Sequence, residues 1–309
     1  MIDIAIIGGG PAGLSAGLYA ARGGAQAVLF EEVFVGGQAA KTHQIDNYPG
    51  FSEGIAGSEL GMKMEQQATR FGLSIRYEPV DGLDLLYPVK CVQTQSERAQ
   101  ARAIILCTGA NPRSLGIPRE EELLGKGVSY CATCDGAFFR GREVAVVGGG
   151  DTALSDALYL ARFASRVYLI HRRDEFRGVV TLQKAVRAEP KIQMIYSHVV
   201  SELLGESKLE GIRLKHVVTG SQTQTEVAGL FVAVGIEPRT SLVRGQLPLT
   251  ASGYIQTDPF MRTPVKGVFA AGDARETPLR QVVTAVADGA VAATQALEYL
   301  STAPEAVNS

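Results

Sequence analysis

Cys131 and Cys134 stand two residues apart in the segment Tyr130-Cys131-Ala132-Thr133-Cys134-Asp135-Gly136. That spacing serves either a redox-active dithiol or half of a zinc site. Cys91 and Cys107 stand alone, and neither a second CxxC nor an HxxxH pair supplies the other half of a zinc set. A dithiol is therefore the reading, and no metal is expected. Cys107 falls in the apolar run Ala103-Ile104-Ile105-Leu106-Cys107, where a small buried hydrophobe is the ordinary role.

The dithiol lies between two glycine-rich fingerprints, Gly8-Gly9-Gly10-Pro11-Ala12-Gly13 and Gly148-Gly149-Gly150-Asp151-Thr152-Ala153. Either alone is weak, because glycine turns are common. Their surroundings strengthen both. Ile4-Ala5-Ile6-Ile7 reads as a strand feeding the first turn; Leu14, Leu18 and Ala21 recur at helical spacing until Gly23-Gly24, and Ala27-Val28-Leu29-Phe30-Glu31 is the next strand. In such a unit Gly8 makes the tight turn, Gly10 lets backbone approach a pyrophosphate, Gly13 lets the helix pack on the strand, and Glu31 accepts from a ribose hydroxyl.

The second unit repeats the plan with the strand Val144-Ala145-Val146-Val147, a helix carrying Leu154, Leu158 and Ala161, and the strand Val167-Tyr168-Leu169-Ile170. It ends differently, in His171-Arg172-Arg173-Asp174-Glu175-Phe176-Arg177. A carboxylate there would repel a 2′-phosphate, whereas guanidinium groups bind it bidentately, so NADP is expected over NAD. The bland alternative is a solvated charge run.

Further strands run into glycine at Ala103 to Gly109, Leu230 to Gly235 and Val268 to Asp273. The expected fold is α/β: two Rossmann-like, three-layer dinucleotide-binding domains, the second inserted in the first. The boundaries are placed at 1–112, 113–239 and 240–309, with Pro112, Pro118 and Pro238 near a double linker. An alanine-rich helix is expected from about Gln281 to Leu300, and a frayed tail over 301–309. The 309 residues are 46% hydrophobic and 20% charged with a formal charge of −2, which disfavours a nucleic-acid or anionic-membrane binder. No apolar run reaches the length of a membrane span and no signal peptide is read, so a cytoplasmic protein with small-molecule or protein partners is expected.

With these motifs placed, the chain resembles the low-molecular-weight, NADPH-dependent thioredoxin reductases of the bacterial type over essentially its whole length. The matching stretches are GGGPAG, Gly36-Gly37-Gln38, Asn47-Tyr48-Pro49-Gly50, CATCDG, GGGDTA, HRRDEFR, and Ala270-Ala271-Gly272-Asp273 followed by Arg280-Gln281-Val282. Ser155-Asp156 departs from the two acidic residues that the family often has, and the segment 81–100 is irregular. The resemblance implies FAD on the first domain, held by Gly8, Gly10, Pro11, Ala12, Gly13, Glu31, Glu32, Gly36, Gly37, Gln38, Asn47, Thr108, Gly109, Gly272, Asp273, Arg280, Gln281 and Val282. It implies NADPH on the inserted domain, held by Gly148, Gly150, Asp151, Thr152, Ala153, His171, Arg172, Arg173 and Arg177.

The same resemblance implies a homodimer that passes electrons from NADPH through FAD and the Cys131/Cys134 disulfide to thioredoxin or a similar dithiol protein. Cys134 is then the flavin-facing sulfur, Cys131 the thiol that attacks the partner, and Asp135 the proton-handling residue beside them. A helix starting at the CATC segment would lower a thiol pKa while Asp135 pushes the other way. Amide N–H groups near Gln281 and Val282 would face the flavin pyrimidine and favour its anionic reduced form. Because dithiol and nicotinamide site share one domain yet must meet one flavin, that domain is expected to swivel on its double linker; the alternative is a single rigid arrangement. Two other functions stay open. One is a related flavin disulfide reductase with another dithiol-protein partner or electron donor, and the other is a non-catalytic flavin redox sensor.

Overall fold

The computed structural model describes residues 1–42 and 44–302, so the tail expected to fray lies outside the described residues from 303 onward. The chain forms two compact units, Met1–Asn111 with Glu237–Ser309, and Pro112–Ile236. The first opens with β1 (Ile2–Ile7), α1 (Pro11–Arg22), β2 (Ala27–Glu31), α2 (Gly57–Arg70) and β3 (Ser74–Tyr77), followed by β4 (Val80–Asp84), β5 (Lys90–Thr94) and β6 (Arg98–Leu106). After a short crossing strand, β7 (Ala110–Pro112), come β8 (Val128–Ser129), α3 (Ala132–Asp135), β9 (Glu143–Gly148), α4 (Asp151–Leu160), β10 (Arg166–Ile170), α5 (Val180–Ala188) and β11 (Ile192–Ile195). The second unit closes with β12 (His198–Leu204), β13 (Gly211–His216), β14 (Gln222–Glu226) and β15 (Gly229–Ala233). A return strand, β16 (Ile236–Pro238), leads to β17 (Val268–Ala270) and α6 (Val282–Thr302).

β1 is buried on both faces, with Ile4, Ala5 and Ile6 fully enclosed. Such a strand belongs in the middle of a parallel sheet covered on both sides. It pairs in parallel with β2 and β6, setting Ile6 opposite Leu29 and Ile105, in the order β3-β2-β1-β6-β5-β4, with β17 also paired to β6. Ile4 and Ile6 pack with Leu14, Leu73 and Ala292, while Ala5 and Ile7 pack with Val28, Leu85 and Val92. α6 approaches α1 so closely that a Cβ at Gly289 would run into Ala12 O. The segment 81–100, irregular in sequence, folds as an antiparallel meander, β4-β5-β6, whose long strand β6 continues into the parallel sheet.

The inserted unit has an all-parallel sheet in the order β11-β10-β9-β15-β8. Val144 and Val146 of β9 pack with Leu154, Ala157 and Leu160 of α4; Ala145 and Val147 pack with Val200, Ile212 and Leu214 of the antiparallel β12-β13-β14 sheet. This gives three layers: helices, parallel sheet, antiparallel sheet. Among the described residues no helix is long and apolar enough to cross a membrane.

Candidate active site

Cys131 and Cys134 form a disulfide, with Cα atoms 5.3 Å apart. Cys131 is extended (φ −140°) and caps α3, a single turn whose Cys134 and Asp135 N–H groups donate to Cys131 O at 3.2 and 3.1 Å. A one-turn helix sums few peptide dipoles, so its effect on a thiol is small and local donors matter more. One is Thr133 Oγ1, 3.4 Å from Cys131 Sγ. Both cysteines are partly exposed.

The residues before the dithiol are held by two side chains that the sequence did not single out. Ser129, buried at the end of β8, donates its hydroxyl to Asp135 Oδ2 at 2.6 Å and accepts the Cys131 N–H at 3.0 Å. Glu120, only 4% exposed, accepts from Leu115 N, Gly116 N and the Tyr130 hydroxyl at 2.9, 3.0 and 2.7 Å. Burial first, then the bond to Glu120, pushes the Tyr130 hydroxyl pKa up, so Tyr130 stays a donor at every working pH. No local signature marks these residues, apart from the Ser-x-Cys spacing.

In the first unit the glycines fall into two kinds. Gly8 has φ +107° and a Cβ there would run into Cys107 O; a Cβ at Gly13 would run into Gly8 O. The protein itself demands those glycines. Gly10 differs: its backbone (φ −72°, ψ −178°) suits any residue, and a Cβ would meet nothing nearer than Gly37 Cα at 3.9 Å. Bare backbone at the start of α1, with Pro11 as its first residue, fits a pyrophosphate in close approach.

Of the other predicted residues, Glu31, Gly36, Gly37, Thr108 and Gly272 lie against this turn. Gly36 N donates to Gly9 O at 2.8 Å, and Gly37 lies against Gly10. Glu31, at the end of β2, accepts the N–H groups of Gly9 (2.7 Å) and Val33 (3.2 Å), which fixes its carboxylate beside the turn. Gly272 lies against Ala12, and the half-buried Asp273 carboxyl is raised to about 6, by desolvation first, against an opposing effect of Arg280 and with a smaller contribution from Asp288. Gln38 donates to Asn111 (2.7 Å), Asn47 to Gln281 (3.0 Å) and the Thr108 hydroxyl to Arg239 O (2.6 Å), while Gly109 O accepts from Arg239 N. Glu32 is taken up in an exposed pair with Arg239 at 3.0 Å, which leaves it less able to serve a ligand. Arg280 lies 4.4 Å over the Tyr254 ring with its buried Nε unpartnered, a donor facing no protein acceptor. Gln281 O accepts from Ala285 N at the start of α6, which begins at Val282. Unpredicted, Asp288 accepts from Gly272 N (3.1 Å) and Arg275 Nε (2.7 Å) and so braces the Gly272-Asp273 turn.

The second turn repeats this division. A Cβ at Gly148 would run into Ala233 O and lie 2.6 Å from Ala153 Cβ, whereas one at Gly150 would meet nothing within 4 Å. Asp151 Oδ1 accepts Val179 N–H at 2.7 Å, and Thr152 and Ala153 continue α4. Arg177 N and Gly178 N both donate to Gly149 O, folding the arginine loop onto the glycine turn. Arg172, Arg173 and Arg177 are exposed, and among the described residues none of the three has a side-chain hydrogen bond or ion pair. Three uncompensated guanidiniums beside a glycine turn fit a phosphate monoester. His171 is 4% exposed, with its ring against Gly149 and Phe176 and its Nε2 unpartnered. Burial, then Arg177, lowers its pKa, so it supports the turn as a neutral ring.

Cys107 is buried and its thiol pKa is pushed up by burial, and among the described residues no group of His, Cys, Asp and Glu could hold a metal. Residues 2–289 match the family model of the pyridine nucleotide-disulphide oxidoreductases. The thioredoxin reductase of Mycolicibacterium smegmatis is 46% identical over 300 residues, covering 97% of this chain and 96% of that protein. The bifunctional thioredoxin reductase/thioredoxin of Mycobacterium leprae is 45% identical over 97% of this chain and 66% of its own length. The crystal structure of thioredoxin reductase from Streptococcus pyogenes superposes with a TM-score of 0.94 at 41% identity, covering 98% of this chain and 99% of that one.

Proposed function

The chain belongs to the pyridine nucleotide-disulphide oxidoreductase family, and from that premise we propose that it is an NADPH-dependent thioredoxin reductase carrying FAD. The observation that carries this reading is a partly exposed Cys131–Cys134 disulfide in the same unit as a glycine turn faced by three unpartnered arginines. FAD, when bound, supplies the two-electron relay between NADPH and a disulfide. The bare backbone at Gly10, the fixed Glu31 carboxylate and the unpartnered Arg280 Nε are the features that suit it to the first unit.

The chain's own residues then do the following. Arg172, Arg173 and Arg177 bind the 2′-phosphate of NADPH, and the start of α4 at Gly150 and Asp151 receives its pyrophosphate. Two electrons cleave the Cys131–Cys134 bond, and Asp135 delivers one proton to the Cys134 sulfur. The Cys131 thiolate, with Thr133 Oγ1 in reach, attacks the partner's disulfide and releases one partner thiolate. Cys134 then returns its proton to the Asp135 carboxylate, attacks Cys131 Sγ as the thiolate, restores the disulfide and frees the second. Because one unit carries both the dithiol and the NADPH residues, turnover requires that unit to reorient on its crossings between the two half-reactions.

The bifunctional relative from M. leprae, named as reductase and thioredoxin together, supports thioredoxin as the partner. A homodimer in the cytoplasm completes the reading, and free Cys91 and Cys107 suit a reducing compartment. A different electron donor or a passive redox sensor would leave the three arginines without a purpose. The deciding experiment follows NADPH oxidation with thioredoxin and an aromatic disulfide dye. Wild type should turn over, and Cys134→Ser should lose thioredoxin reduction while NADPH still bleaches the flavin. Failure of thioredoxin alone, with the dye still reduced, would point to another dithiol protein.

A further inference from the structure

Ser129 has more acceptors within reach than it has protons. Its Oγ lies 2.6 Å from Asp135 Oδ2 and 3.3 Å from Cys131 O, and it already accepts the Cys131 N–H at 3.0 Å. A hydroxyl owns one proton, so it donates to one of those two oxygens at a time. It is 3% exposed, and the pairing of β8 with β15, Phe231 opposite Ser129, fixes its backbone, so water does not substitute for it. A carboxylate is the stronger acceptor, and while Asp135 is ionised the proton belongs there. Once Asp135 is protonated, its own O–H can donate to Ser129 Oγ, and the serine proton is released to turn toward Cys131 O. The two arrangements differ at Ser129 by rotation of its one O–H bond.

We infer that Ser129 is a positioning residue of the proton step: its single hydroxyl proton holds Asp135 Oδ2 beside the dithiol in one state and Cys131 O in the other. The inference rests on the assignment of Asp135 as proton donor in the proposed reaction. When two electrons from NADPH cleave the disulfide, the sulfurs gain the electron pair, Asp135 gives its proton to the Cys134 thiolate, and the carboxylate left behind receives the Ser129 hydroxyl proton. The same rotation withdraws a donor from Cys131 O, the carbonyl that receives the N–H groups of Cys134 and Asp135. Ser129 therefore links the protonation of Asp135 to the backbone of Cys131, which caps α3.

Other ionisable groups surround this centre and must be separated from it. They are the two cysteines themselves; Asp151, Asp156 and Tyr159 of α4, which packs on α3; and Tyr130 with its partner Glu120 beyond β8. Asp156 titrates in the working range, raised to about 6 by burial.

The test compares the pH dependence of kcat and KM of the FAD-loaded enzyme, with NADPH and both thioredoxin and an aromatic disulfide, for wild type, Ser129→Ala and Ser129→Thr. Donation to a carboxylate favours its ionised form, so its removal should move the alkaline limb of kcat upward by about one pH unit, the worth of one charge-assisted bond. Ser129→Thr should restore the wild-type limb. KM for thioredoxin and the rate of flavin reduction by NADPH should stay unchanged. In an Asp135→Asn background, Ser129→Ala should produce no further shift, while in an Asp156→Asn background the shift should persist. A uniform fall in kcat at every pH, or a shift that survives in Asp135→Asn, would overturn the inference and leave Ser129 as a structural tie. If Ser129→Ala does not fold, Ser129→Val against Ser129→Thr isolates the hydroxyl at matched shape. Wild type that reduces the dye but not thioredoxin would overturn the partner assignment alone, since the dye profiles still report on Ser129.

Discussion

Asp273 should make the FAD-free protein less stable as the pH rises, and removing its charge should relieve that loss. Its carboxyl pKa is raised from 3.8 to about 6, by burial first, with Arg280 opposing and Asp288 adding to the shift. For an acid whose folded pKa lies above its unfolded value, both states bind the proton below about pH 4 and folding costs nothing extra. Between about 4 and 6 the unfolded chain ionises first, and stability falls; above about 6 the loss is complete. Two units at about 1.4 kcal/mol each make it roughly 3 kcal/mol at pH 7.5. Asp273→Asn keeps the shape and removes the charge. In FAD-stripped protein, urea unfolding followed by circular dichroism should show the variant and wild type equal near pH 4. At pH 7.5 the variant's midpoint should lie about 1 M higher, taking a slope of about 3 kcal/mol per M. FAD should bind the variant more weakly, because a charge retained at such a cost has a ligand to serve. A gap between the two proteins that is the same at both pH values would refute the reasoning, because a titrating charge cannot act equally on both sides of its pKa.

Replacing Arg172 or Arg173 singly by Ala should raise the KM for NADPH about 10- to 100-fold, at about 1.5 to 3 kcal/mol per charge-assisted contact, and leave the KM for NADH nearly unchanged. Equal loss with both nucleotides would assign these arginines to the fold. Glu31→Ala should weaken FAD retention about 10- to 100-fold, read as flavin released on dilution, because it also strips the acceptor from Gly9 N and Val33 N. Breaking the buried pair between Asp288 and Arg275, whose side chains are 13% and 14% exposed, should cost about 3 to 5 kcal/mol for either single Ala variant. The double variant should cost much less than the sum, giving a coupling near 2 kcal/mol; additive losses would show that the two side chains act independently.

What could be read in the sequence was what lies within a few residues of itself. The dithiol, the glycine turns and the contrast between Glu31 and the Arg172–Arg177 loop each depend on spacing along one strand-turn-helix unit. The meander β4-β5-β6 was missed because Asp84 to Lys90 mixes apolar and turn residues without a clean alternation, and its strands owe their pairing to β6, not to local propensity. The braces were missed for a different reason. Glu120 reaches Tyr130, ten positions on and beyond β8, and Asp288 reaches Arg275 and Gly272 only after α6 has docked on α1. Such contacts exist only in the folded state.

The glycines show how the two levels join. In sequence, Gly8 and Gly10 are equivalent letters of one fingerprint, as are Gly148 and Gly150. In the fold, Gly8 and Gly148 are required by carbonyls of neighbouring strands, those of Cys107 and Ala233, and any protein with this sheet packing would need them. Gly10 and Gly150 are required by nothing in the chain: their backbones are extended, and a Cβ would meet no close neighbour. A residue that pays the entropic cost of glycine without a structural return is one that something outside the chain must approach. That both turns separate their glycines in the same way, one unit ending in a carboxylate and the other in three free guanidiniums, is what supports the proposal of two different dinucleotides over two copies of one.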